Sequence, residues 1–237
     1  MPELSPILFI AFLGGVAPSI LWLAFWLFED RLHPEPKKFL FLTFILGMLV
    51  VWPVFKVEEF FAAYATGTMV LLLWAGTEEI AKFIAALFGG LLWPVFDEPL
   101  DAVIYMVTAA LGFSAVENTL FLMGSLNQGL AHGIITGDLR FIGATLLHTL
   151  SSATIGVAMA YAYRKNIGMR KLYAFAGVVL ATALHTLFNF FILGDSGSAT
   201  FGIFFFIWLG IIAILLTLED IKRSEGSPFT TLRNGTR

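Results

Sequence analysis

The chain has 237 residues, 58% of them hydrophobic and only 13% charged, whereas about a quarter of an ordinary soluble domain is charged. Its net charge of −3 comes without any Lys/Arg patch interleaved with aromatics, which excludes a nucleic-acid surface. The absence of cysteine excludes disulfides and thiolate sites, so any metal site must use His, Asp or Glu.

Residues 1–6 lack the basic region of a secretory signal, and the apolar run 7–28 is longer than a signal core, so a retained first span is expected at 6–28. Further spans are expected at 39–55, 67–93, 102–123, 140–162, 172–193 and 200–218, all close to the length that crosses a ~30 Å core at ~1.5 Å per residue. The fold class is all-α, a polytopic transmembrane helical bundle of about seven spans. One integral-membrane domain is expected over 1–220, with its catalytic core at about 67–193 and a disordered, polar cytoplasmic tail over 221–237. Residues 56–70 are the exception to a simple span pattern: Lys56, Glu58 and Glu59 start a helix suited to the interface. With the N-terminus outside, the cytoplasmic segments hold 11 Lys/Arg and the outer loops only Lys56 and Arg140, which predicts a multi-pass cell-membrane protein with a cytoplasmic C-terminus.

Four of the apolar stretches carry ionisable groups. A charge at mid-membrane costs about 2.5–3.5 kcal/mol on insertion scales, so such groups mark reaction sites, ion paths or buried structural pairs. Glu78 and Lys82 are four residues apart with the acid first, the favourable helical ion-pair order; Glu79 lies three before Lys82. One lysine neutralises one carboxylate and leaves the second suited to acid–base work. His148 and His185 follow on later spans, each with a polar residue one turn on, Ser152 and Asn189, able to orient a ring or stabilise an oxyanion. Glu117-Asn118 sits beside Gly112, Ser114 and Ala115, which permit close helix approach; Glu117 is a third catalytic or ligand carboxylate, or an acceptor for a histidine. By residue count, these groups fall within one layer in the outer half of the membrane. Two imidazoles with a carboxylate also form a catalytic zinc ligand set, so His148 and His185 are candidate ligands for Zn2+. Asp101 and Tyr105 are read as an interface anchor or a partner of the helix N-terminal dipole, and His33 and His132 fall in expected loops with no functional role assigned.

The order Glu78-Glu79-x-x-Lys82, Gly112-Phe113-x-x-x-Glu117-Asn118, Arg140 before His148, and His185-x-x-x-Asn189 resembles PrsW-type membrane proteases, within the wider superfamily of CAAX prenyl endopeptidases and Abi proteins. The resemblance covers residues 74–190, about half the chain. It implies hydrolysis of a peptide bond within or near the bilayer, in a membrane-anchored protein or peptide. It also implies that Glu78 and Glu79 are the essential acid pair, with His148 and His185 completing the site. The chain departs from the family pattern after Asp101, where Ala102 stands in place of an expected glycine.

Two other classes compete with a peptidase. A proton- or cation-coupled transporter would use the same carboxylates as relays, but no inverted repeat or mirrored set of broken helices is visible. A non-enzymatic, Abi-like scaffold would use the buried pair only to hold helices together, and would keep its function when Glu78, Glu79 and Lys82 were all made apolar.

Overall fold

The computed structural model describes residues 6–31, 33–193 and 197–225. The chain folds as α1 (Pro6–Glu29), α2 (Lys37–Leu49), α3 (Val51–Tyr64), α4 (Thr68–Ala86), α5 (Pro99–Gln128), α6 (Leu130–Leu139), α7 (Thr145–Ala162), α8 (Ile167–Leu193) and α9 (Gly197–Glu225). There is no strand among the described residues. Two π-turns interrupt the ladder, Leu87–Leu91 after α4 and Arg140–Ala144 between α6 and α7. Among the described residues, six helical stretches are long and apolar enough to cross a membrane. The seventh helix of the bundle is α4, whose mean hydropathy is lowered by Glu78, Glu79 and Lys82 in its middle. The protein is an all-α membrane bundle of about seven spans.

The bundle is organised around α5. Every residue from 99 to 115 is buried, while α1, α2, α4 and α7 pack around this helix. Small residues set those distances. A Cβ at Gly47 of α2 would run into the Ala109 carbonyl, and one at Gly112 of α5 into the Phe44 carbonyl, so the α2–α5 crossing brings backbones together at glycines from both sides. On the other side, Gly156 of α7 lies against the backbone of Val103. Next to α7 lies α8, which also packs on α4 and so closes a ring of α4, α5, α7 and α8. Outward faces carry Phe, Leu and Ile, as lipid contact demands; Phe9, Leu21, Phe41, Phe175 and Phe206 are examples.

Three segments differ from the sequence expectation. The second span does not stop at residue 55: α2 and α3 run as one stretch, Lys37–Tyr64, interrupted at Val50, and Pro53 supplies no N–H to the helical ladder just beyond. Residues 124–139 are helical where a loop was expected. Gly129, at φ 138°, turns the chain, and α6 then folds back on α5, with Gly133 against Leu126 and Thr136 Oγ1 donating to Ser125 Oγ at 2.8 Å. Glycines that read as loop formers are contact residues here, and His132 lies on α6. Finally, α9 continues to Glu225, where Lys222 bridges Glu219 and Glu29 of α1. The remainder of the expected tail, 226–237, lies outside the described residues.

Candidate active site

The ring of α4, α5, α7 and α8 brings the polar residues of the four apolar stretches together. Glu78, Glu79 and Lys82 share the inward face of α4, as their spacing dictates, and Glu79 and Lys82 are completely buried. Lys82 Nζ donates to Glu79 Oε1 at 2.6 Å and lies 4.0 Å from Glu78 Oε2, so Glu79 is the acid that Lys82 neutralises. Glu79 Oε1 also accepts from Ser151 Oγ at 2.9 Å and from His185 Nδ1 at 2.8 Å. Ser152 Oγ reaches Glu79 Oε2 at 3.5 Å, so its hydrogen bond goes to α4 and not to the His148 ring. The reason is rotational: α7 turns its two serines toward α4, while α5 supplies the partner of His148.

That partner is Glu117. His148 Nε2 lies 2.8 Å from Glu117 Oε2, and Arg140 Nη2 pairs with the same oxygen. Arg140 Nε donates to Asn118 Oδ1 at 2.5 Å, and Asn118 Nδ2 donates to Thr145 Oγ1 at 2.9 Å and Ser114 Oγ at 3.1 Å. Asn118 therefore works as a bracket for the guanidinium. The Arg140–Ala144 π-turn begins with the residue that reaches this bracket, and such one-turn irregularities recur where a helix must aim a functional side chain.

The hydrogen bonds assign the tautomers. Lys82 donates to His148 Nδ1 at 3.0 Å, so the proton of His148 is on Nε2, toward Glu117. His185 donates from Nδ1 to Glu79, which leaves the Nε2 lone pair open. The two inner nitrogens face one atom: His148 Nδ1 is 3.7 Å and His185 Nε2 is 3.9 Å from Glu78 Oε2. That oxygen is buried and has no hydrogen-bond partner. The two rings meet edge-on with centroids 5.2 Å apart.

Glu78, Glu117, Arg140, His148, His185 and Asn189 line one cavity of about 510 Å³. Glu79 does not reach it and acts from behind His185. Glu58 of α3, to which the sequence reading gave no functional role, lines the same cavity. Helical spacing carried a signal for it: Lys56 pairs with Glu59 at 2.8 Å, and no basic residue lies three or four positions from Glu58.

The donor set fits a metal ion. One ligand atom each from Glu78, His148 and His185 lie within 4.8 Å of one another, the one such group among the described residues. Each histidine's outer nitrogen is held by a carboxylate, Glu117 or Glu79, the arrangement that orients imidazoles toward a cation. The orphaned Glu78 oxygen is what a ligand position looks like before a cation satisfies it.

Comparisons with known proteins agree with this geometry. Residues 35–217 match the PrsW family intramembrane metalloprotease profile. The chain is 28% identical over 223 residues to Protease PrsW of Geobacillus kaustophilus strain HTA426, covering 90% of this chain and 91% of that protein. It is 25% identical over 181 residues to Protease PrsW of Bacillus subtilis strain 168, covering 75% and 80%. With Protease PrsW of Clostridioides difficile strain 630 the identity is 28% over 192 residues, covering 77% and 79%. No solved structure matches the chain. A match over most of its length makes this chain a member of the PrsW family of intramembrane metalloproteases.

Proposed function

We propose that the protein is an intramembrane endopeptidase that hydrolyses a peptide bond in a membrane-anchored protein or peptide, with Zn2+ held by Glu78, His148 and His185. The observation that carries this reading is the convergence of two carboxylate-held imidazoles on the unpartnered Glu78 oxygen at the wall of a cavity. A bound zinc ion would lower the pKa of a water to about 7 and polarise the scissile carbonyl. Glu79 keeps His185 protonated on Nδ1, so that its Nε2 faces the cavity; Glu117 does the same for His148 from the other side. Lys82 offsets the charge of Glu79, and Arg140 that of Glu117, so both carboxylates are sustained in a low-dielectric interior. Asn189, on the cavity wall one turn after His185, is placed to donate to the carbonyl oxygen as it becomes an oxyanion. Attack of water on the carbonyl carbon forms the C–O bond and moves charge onto the carbonyl oxygen; as the carbonyl re-forms, the C–N bond breaks and a proton from the water ends on the leaving amine.

One observation favours a second reading. The Lys82 ammonium already occupies the inner nitrogen of His148 at 3.0 Å, as it would in a metal-free site where Glu78 removes the proton from water. Metal content separates the two. Purified protein should contain one zinc per chain and lose peptidase activity to a strong chelator; full activity in metal-free protein would establish Glu78 as a metal-independent base.

The asymmetry of Lys and Arg supports an outward N-terminus, a cytoplasmic C-terminus and a site in the outer half of the bilayer, within a single integral-membrane domain over residues 1–220. A reporter fused after Arg237 that reads as extracytoplasmic would overturn that topology.

A further inference from the structure

Glu58 stands on the least anchored helix of the site. Only Val51 and Val54 of α3 are buried, and Trp52, Phe60 and Tyr64 are exposed. The helix is set off at one end by the break at Val50 and at the other by Gly67, whose φ of 60° suits glycine and few other residues. Its inward side nonetheless carries Glu58, which lines the same cavity as Glu78. Trp74 of α4 donates from Nε1 to the Glu58 carbonyl at 3.0 Å, fixing the turn that presents this side chain. A second cavity of about 380 Å³, outside α3, shares Phe55, Glu58 and Trp74 with the first, so Glu58 stands at the junction between them.

Charge gives this placement a meaning. Four carboxyl groups surround the site, on Glu58, Glu78, Glu79 and Glu117, and two fixed cations, Lys82 and Arg140, face them. Glu79 and Glu117 each have a cation in hydrogen-bond contact, which leaves Glu58 and Glu78 on the cavity wall without one. Both imidazoles are neutral in the tautomers assigned above. With all four carboxyls ionised the site would carry two more negative charges than positive, which one divalent cation offsets, and Glu58 supplies one of them from outside the Glu78–His148–His185 group.

We propose that Glu58 is the fourth carboxylate of the metal centre, a counter-charge carried by α3 that draws this helix inward when a divalent cation binds. The inference rests on the metal-dependent reading above. It makes the hold on α3 depend on the metal: a loaded centre keeps α3 against α4 through Glu58 more tightly than an empty one.

The test uses the full chain in detergent and Zn2+ itself, with affinity measured against a competing chelator and amide hydrogen exchange read along α3. Glu58→Gln is expected to weaken Zn2+ binding about 10–100-fold, the usual effect of losing a group just outside the ligands. Glu59→Gln, one residue away but paired outward with Lys56, leaves the affinity at the wild-type value, and Glu58→Asp recovers most of the loss. Zn2+ slows exchange over residues 55–64 in wild type and not in Glu58→Gln. Thermal unfolding of each metal-free variant reports whether the fold survives. If wild type binds Zn2+ and Glu58→Gln binds it equally, or if Glu59→Gln weakens it as much, the role of Glu58 is overturned while the metal centre stands. Wild type that takes up no Zn2+ overturns the metal-dependent reading, and this inference with it.

Discussion

Two buried polar clusters are built on α5, at Asp101 and at Glu117, sixteen residues and about 24 Å apart at ~1.5 Å per residue. At the Glu117 end the acids are matched with Lys82 and Arg140, two histidines are woven between them, and a cavity reaches the group. At the other end Asp30, Glu35, Asp101 and Tyr105 are enclosed without a cation in hydrogen-bond contact. Tyr105 donates to Glu35, Asp101 caps α5 by accepting from the backbone N–H groups of Asp97 and Glu98 at 2.9 Å, and Asp30 accepts from the Glu35 N–H at 3.2 Å. One oxygen each of Asp30 and Asp101 is buried without a partner. Burial, with Asp101 and Asp30 adding to it, pushes the Glu35 carboxyl up to about 8, and burial raises Asp30 to about 6 against the more distant His33 and Lys222. Similar stocks of carboxyl groups thus do different things. Cations and an open cavity serve one set, whereas enclosure raises the acids of the other, Glu35 most, in a cluster that ties the loop after α1 to the start of α5.

The largest expected effect separates the clusters by activity. Glu78→Gln or His185→Ala should lower peptidase turnover roughly 10²–10⁴-fold, while Asp101→Asn leaves turnover near wild type. Equal losses at both ends would erase the distinction. Next in size is the stability of the charged cluster. Lys82→Met strands the buried Glu79 carboxylate and should cost about 3–5 kcal/mol in detergent unfolding, with much of it recovered in Glu79→Gln/Lys82→Met.

The neutral cluster answers to pH in a direction set by its raised carboxyls. The unfolded chain releases the Glu35 and Asp30 protons near their ordinary values of 4.5 and 3.8, the folded chain only at about 8 and about 6. Stability from this end is fully present below about pH 4 and is lost as pH rises through 6 and 8. Unfolding of Glu35→Gln across that range should show a flatter profile than wild type; an identical slope would mean that Glu35 is not held protonated. The smallest effect is Tyr105→Phe, which removes one buried hydrogen bond and should cost ~1 kcal/mol.

Much of the charged end was legible because its partners obey helical spacing. Glu78, Glu79 and Lys82 lie within about one turn and must share a face, and each histidine is the one ionisable group of its apolar stretch. Which carboxylate holds which imidazole was not legible, because that depends on how α5 and α7 are rotated about their axes. Nor was it legible that Ser152, one turn from His148, bonds to Glu79. Glu35 was invisible for a different cause: it sits between Pro34 and Pro36 in what reads as an ordinary turn, and its partner Tyr105 is 70 residues away. The helix over residues 130–139 was not legible either: Gly129 does turn the chain, but Gly133 is a contact surface against Leu126, and in a membrane unmet backbone groups favour continued helix.

A π-turn is an α-helix carrying one residue more than its regular ladder needs. At Arg140–Ala144 that surplus residue sets the angular phase between α6 and α7. Losing any one residue there would rotate the segment before it by ~100° relative to α7, enough to swing Arg140 from Glu117 toward the acyl chains. Every side chain of the site would still be present in such a chain, in the same order, and the guanidinium would be pointing the wrong way. The number of residues between Arg140 and His148 is thus as much a part of what descendants of this sequence must inherit as the residues themselves.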